Sequence, residues 1–334
     1  MQRRIGNGDV VGPSPTFESY LTEWLEAKVT VRKPATMAQY RDLANRFLIP
    51  HLGRVKVSDL RAQHVEAMLS AMERGIVTER RTTGRGLVTR RRTVAVLSSA
   101  LNSAVKRRLV TSNVCQQVEL PPERPERRPV WDAAQVSRFL AHVETDRLAA
   151  LWRLYVLIGL RRGEALALKW DALDLDAGTL TVRETLSEVD GHLVWGAPKT
   201  LNGTRTLAIA LDTVNALRSH RGRQAAERLA LGAAYKDRGL VFCRQDGDPI
   251  WPNTVDSRFR ALRGEAGMPH IRLHDLRHSA ASLSFAAGND LKTVSSNLGH
   301  AGIAITADLY SHVVPAVARA AAERVAALVG ENTL

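Results

Sequence analysis

Residues 119–131 read ELPPERPERRPVW. Pro121, Pro122, Pro125 and Pro129 fall within nine positions, and few apolar side chains accompany them. Proline at this density fixes the backbone torsion, removes donors and favours a stiff, extended connector. The chain has 334 residues, enough for about two domains at roughly 150 residues each. The stretch supplies the division: residues 14–118, a linker over 119–130, and residues 131–334. Working outward toward the N-terminus, SPTFESYLTEWLEAK places Phe17, Tyr20, Leu21, Trp24 and Leu25 at the spacing of one buried helix face. PATMAQYRDLANRFLIP puts Met37, Tyr40, Ala44, Phe47 and Leu48 on one side and is predicted to stop at Pro50. Two further helices are predicted, near 61–72, ending at Gly75, and near 87–107, with Val94, Leu97, Leu101 and Val105 inward. The front part is therefore a four-helix domain preceded by a loose polar arm, residues 1–13.

Outward on the other side, Asp132 and Gln135 stand as N-cap and N3 of a helix, and helical patterning runs on to Leu160. TLTVR (179–183), HLVWG (192–196) and RTLAIA (205–210) then form a strand interlude, separated by Asp190-Gly191 and Asn202-Gly203 turns. They are expected to pair as one three-stranded antiparallel sheet. Helices are predicted near 211–231, 252–266, 273–287, 290–298, 303–310 and 315–329. The fold class is mainly α with a small antiparallel β-sheet.

Charge gives the first functional indication. The formal net charge is +13, and residues 1–130 hold 23 Lys/Arg against 12 Asp/Glu, a net of +11. Between Arg74 and Arg108 ten basic residues accompany one acid, Glu79. Arg90, Arg91, Arg92, Lys106, Arg107 and Arg108 cluster at the two ends of one predicted helix. A single charge run is usually a solvated face, but this excess points to a polyanion, with nucleic acid ahead of a membrane surface. The most apolar stretch, Leu148–Leu160, is thirteen residues long and interrupted by Arg153; a spanning helix needs about 20. No apolar run follows the basic N-terminus, so no signal peptide is expected. Cys115 and Cys243 make neither a disulfide framework nor a zinc spacing. A cytoplasmic protein without membrane contact is expected.

Four islands in the second half could carry chemistry: IGLRRGEALALKW with Arg161, Arg162 and Glu164; GAPKTLNGTRTLAI with Lys199; LHDLRHSAASL with His274, Asp275, Arg277 and His278; and NLGHAGIAITADLYSHV with His300 and Tyr310. Each has a plain reading by itself. Arg161 suits a helix C-terminus, Lys199 is an ordinary surface lysine, His300 a loop histidine, and Tyr310 a core or surface tyrosine. His274 and His278 at i, i+4 have zinc-ligand spacing. A zinc-protease motif wants Glu after the first His, where Asp275 stands, and Arg277 would repel a dication. No third ligand is evident, and neither metal nor cofactor is expected.

Taken together, Arg161 in GLRRGE, Lys199 on a hairpin, His274-x-x-Arg277, Leu-Gly-His300 and Tyr310 ten residues later resemble the active-site set of the tyrosine recombinases, the phage integrase family. The resemblance extends over about residues 14–334. It departs at Ile158, where the family often has Thr or Ser. Many relatives also carry an arm-binding domain in front; here thirteen residues precede the helical domain. The resemblance implies a helical core-type DNA-binding domain followed by an α+β catalytic domain. Its C-terminal helix, 315–329, would dock on a neighbouring protomer in a tetramer on DNA. The two domains would close on opposite faces of the duplex.

The implied chemistry is attack by the Tyr310 oxygen on a DNA phosphorus to give a 3′-phosphotyrosine link. Charge grows on the non-bridging oxygens, and planar, permanently charged, bidentate guanidinium groups suit that task. Arg161 and Arg277 would hold those oxygens and His300 would add a hydrogen bond. A phenol has a pKa near 10, and His274 would accept its proton. Lys199 would protonate the leaving 5′-oxygen. Glu164 would orient Arg161 or form an exposed pair; Asp275 and His278 would brace the HxxR helix; Arg162 would touch phosphate or remain a surface charge. The expected function is a site-specific recombinase, an integrase of a phage or integrative element acting on double-stranded attachment sites. A host bending protein or directionality factor would be its further partner. The rivals are a chromosome-dimer resolvase or transposon-type recombinase, a type IB topoisomerase-like enzyme, a non-catalytic DNA-binding regulator and a zinc hydrolase.

Overall fold

The computed structural model describes residues 14–78, 81–83, 86–122, 129–198 and 203–299, together with Gly302, Glu323 and Ala326. The predicted arm 1–13, Lys199, His300, Tyr310 and nearly all of the tail, including 315–329 apart from Glu323 and Ala326, lie outside the described residues. The chain divides into two compact units, Met1–Glu126 and Arg127–Leu334.

The first unit is helical: α1 (Phe17–Lys28), α2 (Pro34–Leu43), α3 (Ile49–Leu52), α4 (Ala62–Arg74) and α5 (Leu87–Lys106). The five apolar residues read on one face of α1 are its five buried ones. They lie against α5, where the Tyr20 hydroxyl donates to Ala100 O at 2.7 Å and Trp24 Nε1 to Ser103 Oγ at 2.9 Å. The predicted stop at Pro50 is wrong. Residues Ala44–Leu48 form a wider, π-helical turn and the helix resumes over Ile49–Leu52. Proline lacks the N–H for an i→i−4 bond and crowds the preceding turn; widening that turn accommodates it. On α5, Ala104 is buried and Val105 only half-buried. A short hairpin, β1 (Ile76–Thr78) with β2 (Arg81–Thr83), lies between α4 and α5; its Arg/Thr-rich sequence gave no apolar alternation to read.

Near the start of the second unit, the N–H of Trp131 donates to Ser279 Oγ at 2.9 Å. Asp132 and Gln135 form the reciprocal cap of α6 (Ala133–His142). Trp131, Phe139, Trp152 and Phe259 pack ring to ring in the core of this unit. After α7 (Ala149–Arg153), a second π-helical turn, Leu154–Ile158, leads to α8 (Arg162–Leu166). The strands are β3 (Leu173–Asp174), β4 (Thr179–Val182), β5 (Thr185–Val189), β6 (His192–Gly196) and β7 (Arg205–Ala208).

The single predicted sheet is corrected to two. β4 pairs antiparallel with β3 and β7, whereas HLVWG pairs with the residues just before it, β5, through the Asp190-Gly191 turn. Both turn residues have positive φ, +49° and +74°, as a tight primed hairpin turn demands. The helices α9 (Leu211–Leu231), α10 (Pro252–Glu265), α11 (Leu276–Ala286) and α12 (Leu291–Leu298) complete the described unit.

Candidate active site

Two arginines converge on the end of α12. The first, Arg161, stands at the start of α8 between two glycines. Gly159 adopts φ +72°, and a Cβ there would lie 3.0 Å from Leu298 Cδ2 and 3.2 Å from Ala280 Cβ. A Cβ on Gly163 would meet Leu186 O at 2.5 Å. Glycine at both positions lets this turn approach α11, α12 and β5 closely, and that approach fixes where Arg161 begins. Its N–H donates to Glu164 Oε2 at 3.0 Å, its Nη1 to Glu164 Oε1 at 2.7 Å, and its Nη2 to Gly299 O at 3.1 Å. The side chain of Arg161 is 28 % exposed and that of Glu164 only 2 %. Glu164 is thus a buried orienting partner rather than half of an exposed pair.

The second arginine, Arg277, sits on the first turn of α11 and is buried. It donates from Nη1 to Gly159 O at 2.7 Å and from Nη2 to Leu298 O. Opposite charge at a helix C-terminus is favourable, and the carbonyls of Leu298 and Gly299 take one guanidinium each. His274, one turn before Arg277, is exposed, whereas His278 is buried. Their rings lie edge to face at 5.8 Å. Asp275 is buried and accepts from the N–H, Nε and Nη2 of Arg272 at 2.8–2.9 Å. Burial alone would raise its carboxyl pKa; the bonds from Arg272, its charge and that of His278 hold it below the ordinary value.

The structure therefore gathers Arg161, Glu164 and Arg277 around the segment Leu298–Gly299, the residues just before His300. His274, Asp275 and His278 share the helical turn that carries Arg277. Arg162 forms an ion pair with Asp256 of α10, so it has an internal partner rather than a bare surface position. Among the described residues no group of three or more His, Cys, Asp or Glu side chains gathers as a metal would require.

Sequence reading missed Arg205, on β7. It donates from Nη1 and Nη2 to Glu164 at 3.2 and 2.9 Å, from Nε to Asn297 O at 2.8 Å, and from Nη1 to Gly203 O at 3.0 Å. The available signal was a lone charge in a four-residue strand otherwise made of Thr, Leu and Ala. Burial pushes the Glu164 carboxyl up, but the hydrogen bonds and charge of Arg205, then those of Arg161, outweigh it and hold the group below the usual carboxylate range.

Of the six basic residues singled out on α5 and its end, three have internal partners. Arg90 pairs with Glu73 at 3.1 Å, Arg107 with Glu23 at 2.6 Å, and Arg91 donates to Pro121 O. Arg92, Lys106 and Arg108 are exposed.

The sequence profile of the phage integrase family matches residues 129–316, and that of the phage integrase N-terminal SAM-like domain matches residues 16–72. The chain belongs to the phage integrase family. Members are tyrosine recombinases, enzymes that cleave and rejoin DNA. An integrase of Streptomyces ambofaciens is 30% identical over 312 residues, covering 88% of this chain and 76% of the relative. A "Tyrosine recombinase XerC-like" protein of Caldanaerobacter subterraneus subsp. tengcongensis is 28% identical over 319 residues, 90% of this chain and 80% of that protein.

Among solved structures, the Tn1549 transposon integrase in complex with transposon right-end DNA has the same fold. Its TM-score is 0.75 at 20% identity, covering 93% of this chain and 99% of the other. A lambda integrase tetramer bound to a Holliday junction gives 0.60 at 19% identity, over 86% and 78%. No helix among the described residues is long and apolar enough to cross a membrane.

Proposed function

We propose that this recombinase is the integrase of a phage or other integrative element, with Arg161, Lys199, His274, Arg277, His300 and Tyr310 as its catalytic residues. The observation that carries the residue assignment is the convergence of Arg161 and Arg277 on the carbonyls of Leu298 and Gly299. Two permanent cations thereby meet at the backbone that leads into His300. The Tyr310 oxygen attacks the scissile phosphorus and the bond from phosphorus to the 5′-oxygen breaks. His274, exposed on its turn, takes the phenol proton, and Lys199 gives one to the leaving 5′-oxygen. Arg161 and Arg277 hold the non-bridging oxygens, where charge develops. The resulting 3′-phosphotyrosine conserves the bond energy, so a 5′-hydroxyl of a second duplex reseals it without ATP.

Residues 14–118 serve as the core-type DNA-binding domain, residues 131–334 as the catalytic domain, and residues 119–130 link them. The strongly basic front half favours an integrase over a dimer resolvase. Four protomers assemble on DNA in the cytoplasm, as the tetrameric fold relative suggests, and the helix at 315–329 docks in trans. A groove bounded by the second π-helical turn, β7, α11 and α12, with Leu157, Leu207, Ala281, Leu283 and Val294 beside Ser284 and Asn297 in its lining, offers apolar surface to such a helix.

The test is covalent trapping on nicked suicide duplexes built from the DNA flanking the gene, without metal or ATP. Wild-type protein gives a band that survives denaturing electrophoresis, and Tyr310→Phe gives none. Tight binding with no covalent band would favour the regulator reading. Preference for a chromosome-dimer site over the element ends would favour the resolvase.

A further inference from the structure

Three consecutive carbonyls close α12, and three different arginines take them. Asn297 O accepts from Arg205, Leu298 O from Arg277 and Gly299 O from Arg161. Two of these arginines belong to the proposed catalytic set. The third does not, and its contacts reach further than either. The Arg205 side chain is 7 % exposed. Its Nη1 and Nη2 grip both oxygens of Glu164, the carboxylate that holds Arg161. Its Nε holds the end of α12, three residues before His300. Its Nη1 also holds Gly203 O.

A Cβ on Gly203 would fall 2.2 Å from Pro198 Cβ, so Pro198 and Gly203 lie against each other, and Lys199 follows Pro198 in the chain.

We propose that Arg205 is a positioning residue of strand cleavage, fixing with one planar group the carboxylate behind Arg161, the helix end leading into His300 and Gly203, which lies against Pro198, the residue before Lys199. This rests on the reading of those three residues as catalytic. Only a guanidinium offers five donors in a rigid fork; a lysine at this position could not span the three sites at once. Charge supports the same role. Glu164 beside Arg161 alone would be a neutral pair and would compete with a phosphate for that guanidinium. With Arg205 sharing the carboxylate, the group of three keeps one net positive charge at the site where Arg161 is exposed.

The experiment compares wild type, Arg205→Gln, Arg205→Lys and the double variant Glu164→Gln/Arg205→Gln, which removes both buried charges together. Amide hydrogen exchange without DNA is read on peptides covering 157–165, 196–206 and 294–299. Single-turnover cleavage of the suicide duplex and DNA affinity are read beside it. Loss of Arg205 is expected to speed exchange about tenfold in those three peptides and not in α10, and to slow cleavage about 100-fold while affinity stays within roughly threefold. Arg205→Lys is expected to recover part of the rate, and the double variant to lose little beyond Arg205→Gln alone.

The proposal is overturned if a folded variant lacking Arg205 keeps wild-type exchange in the three peptides or cleaves at near wild-type rate. It is also overturned if every Arg205 variant, the double and the lysine included, fails to fold, because the residue is then a stability element. A wild-type protein that cleaves no DNA would instead sink the reading beneath the proposal, and the exchange arm still decides whether Arg205 ties the three segments.

Discussion

His220 lies on the inner side of α9, 1% exposed, with Nε2 2.7 Å from Val241 O. A carbonyl only accepts, so Nε2 carries the proton, and the buried Nδ1 has no hydrogen-bond partner within normal geometry among the described residues. Burial disfavours the imidazolium most; the bond to Val241 works the other way, and the charges of Arg147 and Arg223 add to the effect of burial. The folded pKa is therefore below the ordinary histidine value of about 6.5. The unfolded chain binds a proton below about pH 6.5 that the folded chain refuses, so stability falls as pH drops through that value. Above it the ring is neutral in both states and contributes no slope. Urea unfolding between pH 7.5 and 5.5 is expected to show this loss, and His220→Gln to flatten it by up to about 1.4 kcal/mol per pH unit. Equal slopes in the two proteins would mean that the ring is charged in the fold. Glu164 is the contrasting case: its pKa is held down, so its contribution persists at neutral pH and is lost only as pH falls below about 4.3.

At the scale of the element, the left-handed turn at Gly159 joins the π-helical turn to α8 and sets Arg161 in place. Gly159→Ala would adopt φ +72° with a Cβ 3.0 Å from Leu298 Cδ2. The backbone strain is about 1–2 kcal/mol and the contacts add to it. A loss of about 2 kcal/mol in stability is expected, with a fall in cleavage larger than the fall in DNA affinity. An equal loss in both would show that the turn supports folding alone.

The same elements show what periodicity reveals. The face of α1 was legible because five apolar residues at helical spacing leave one choice, and α9 because no proline interrupts it and its lone interior glycine, Gly222, does not stop the helix before Gly232. Strand positions were legible and strand partners were not: TLTVR, HLVWG and RTLAIA are all short and partly apolar, and HLVWG pairs with neither of the others but with the intervening Thr185–Val189. In the site, Arg161 and Arg277 stood out through short spaced motifs. Arg205 did not, because two of its partners, Glu164 and Asn297, lie 41 and 92 positions away in the chain and are brought to it only by the fold.

On the scale of the whole molecule, the two units have separate apolar cores, one confined to residues 17–120 and one to residues 131–283. Their charges differ too: +9 over residues 1–126 and +4 over the remainder. A phosphate backbone bound by the front unit releases condensed counterions, so log affinity falls with log salt by about 0.9 per phosphate neutralised. The structure narrows which residues contribute. Arg90 and Arg107 already face Glu73 and Glu23, and moving either onto a phosphate leaves a carboxylate behind near the DNA. Arg92 and Lys106 are exposed on α5 without such partners among the described residues. Arg92→Ala and Lys106→Ala are each expected to lower the salt slope of DNA binding by about 0.9. Arg90→Ala and Arg107→Ala should change it less, because each exposes an acid as it removes a base. The measurement is affinity for a duplex across a salt series by fluorescence anisotropy. A uniform slope change across all four variants would mean that the ion pairs open on binding. No change in any would place the DNA on another face of the front unit.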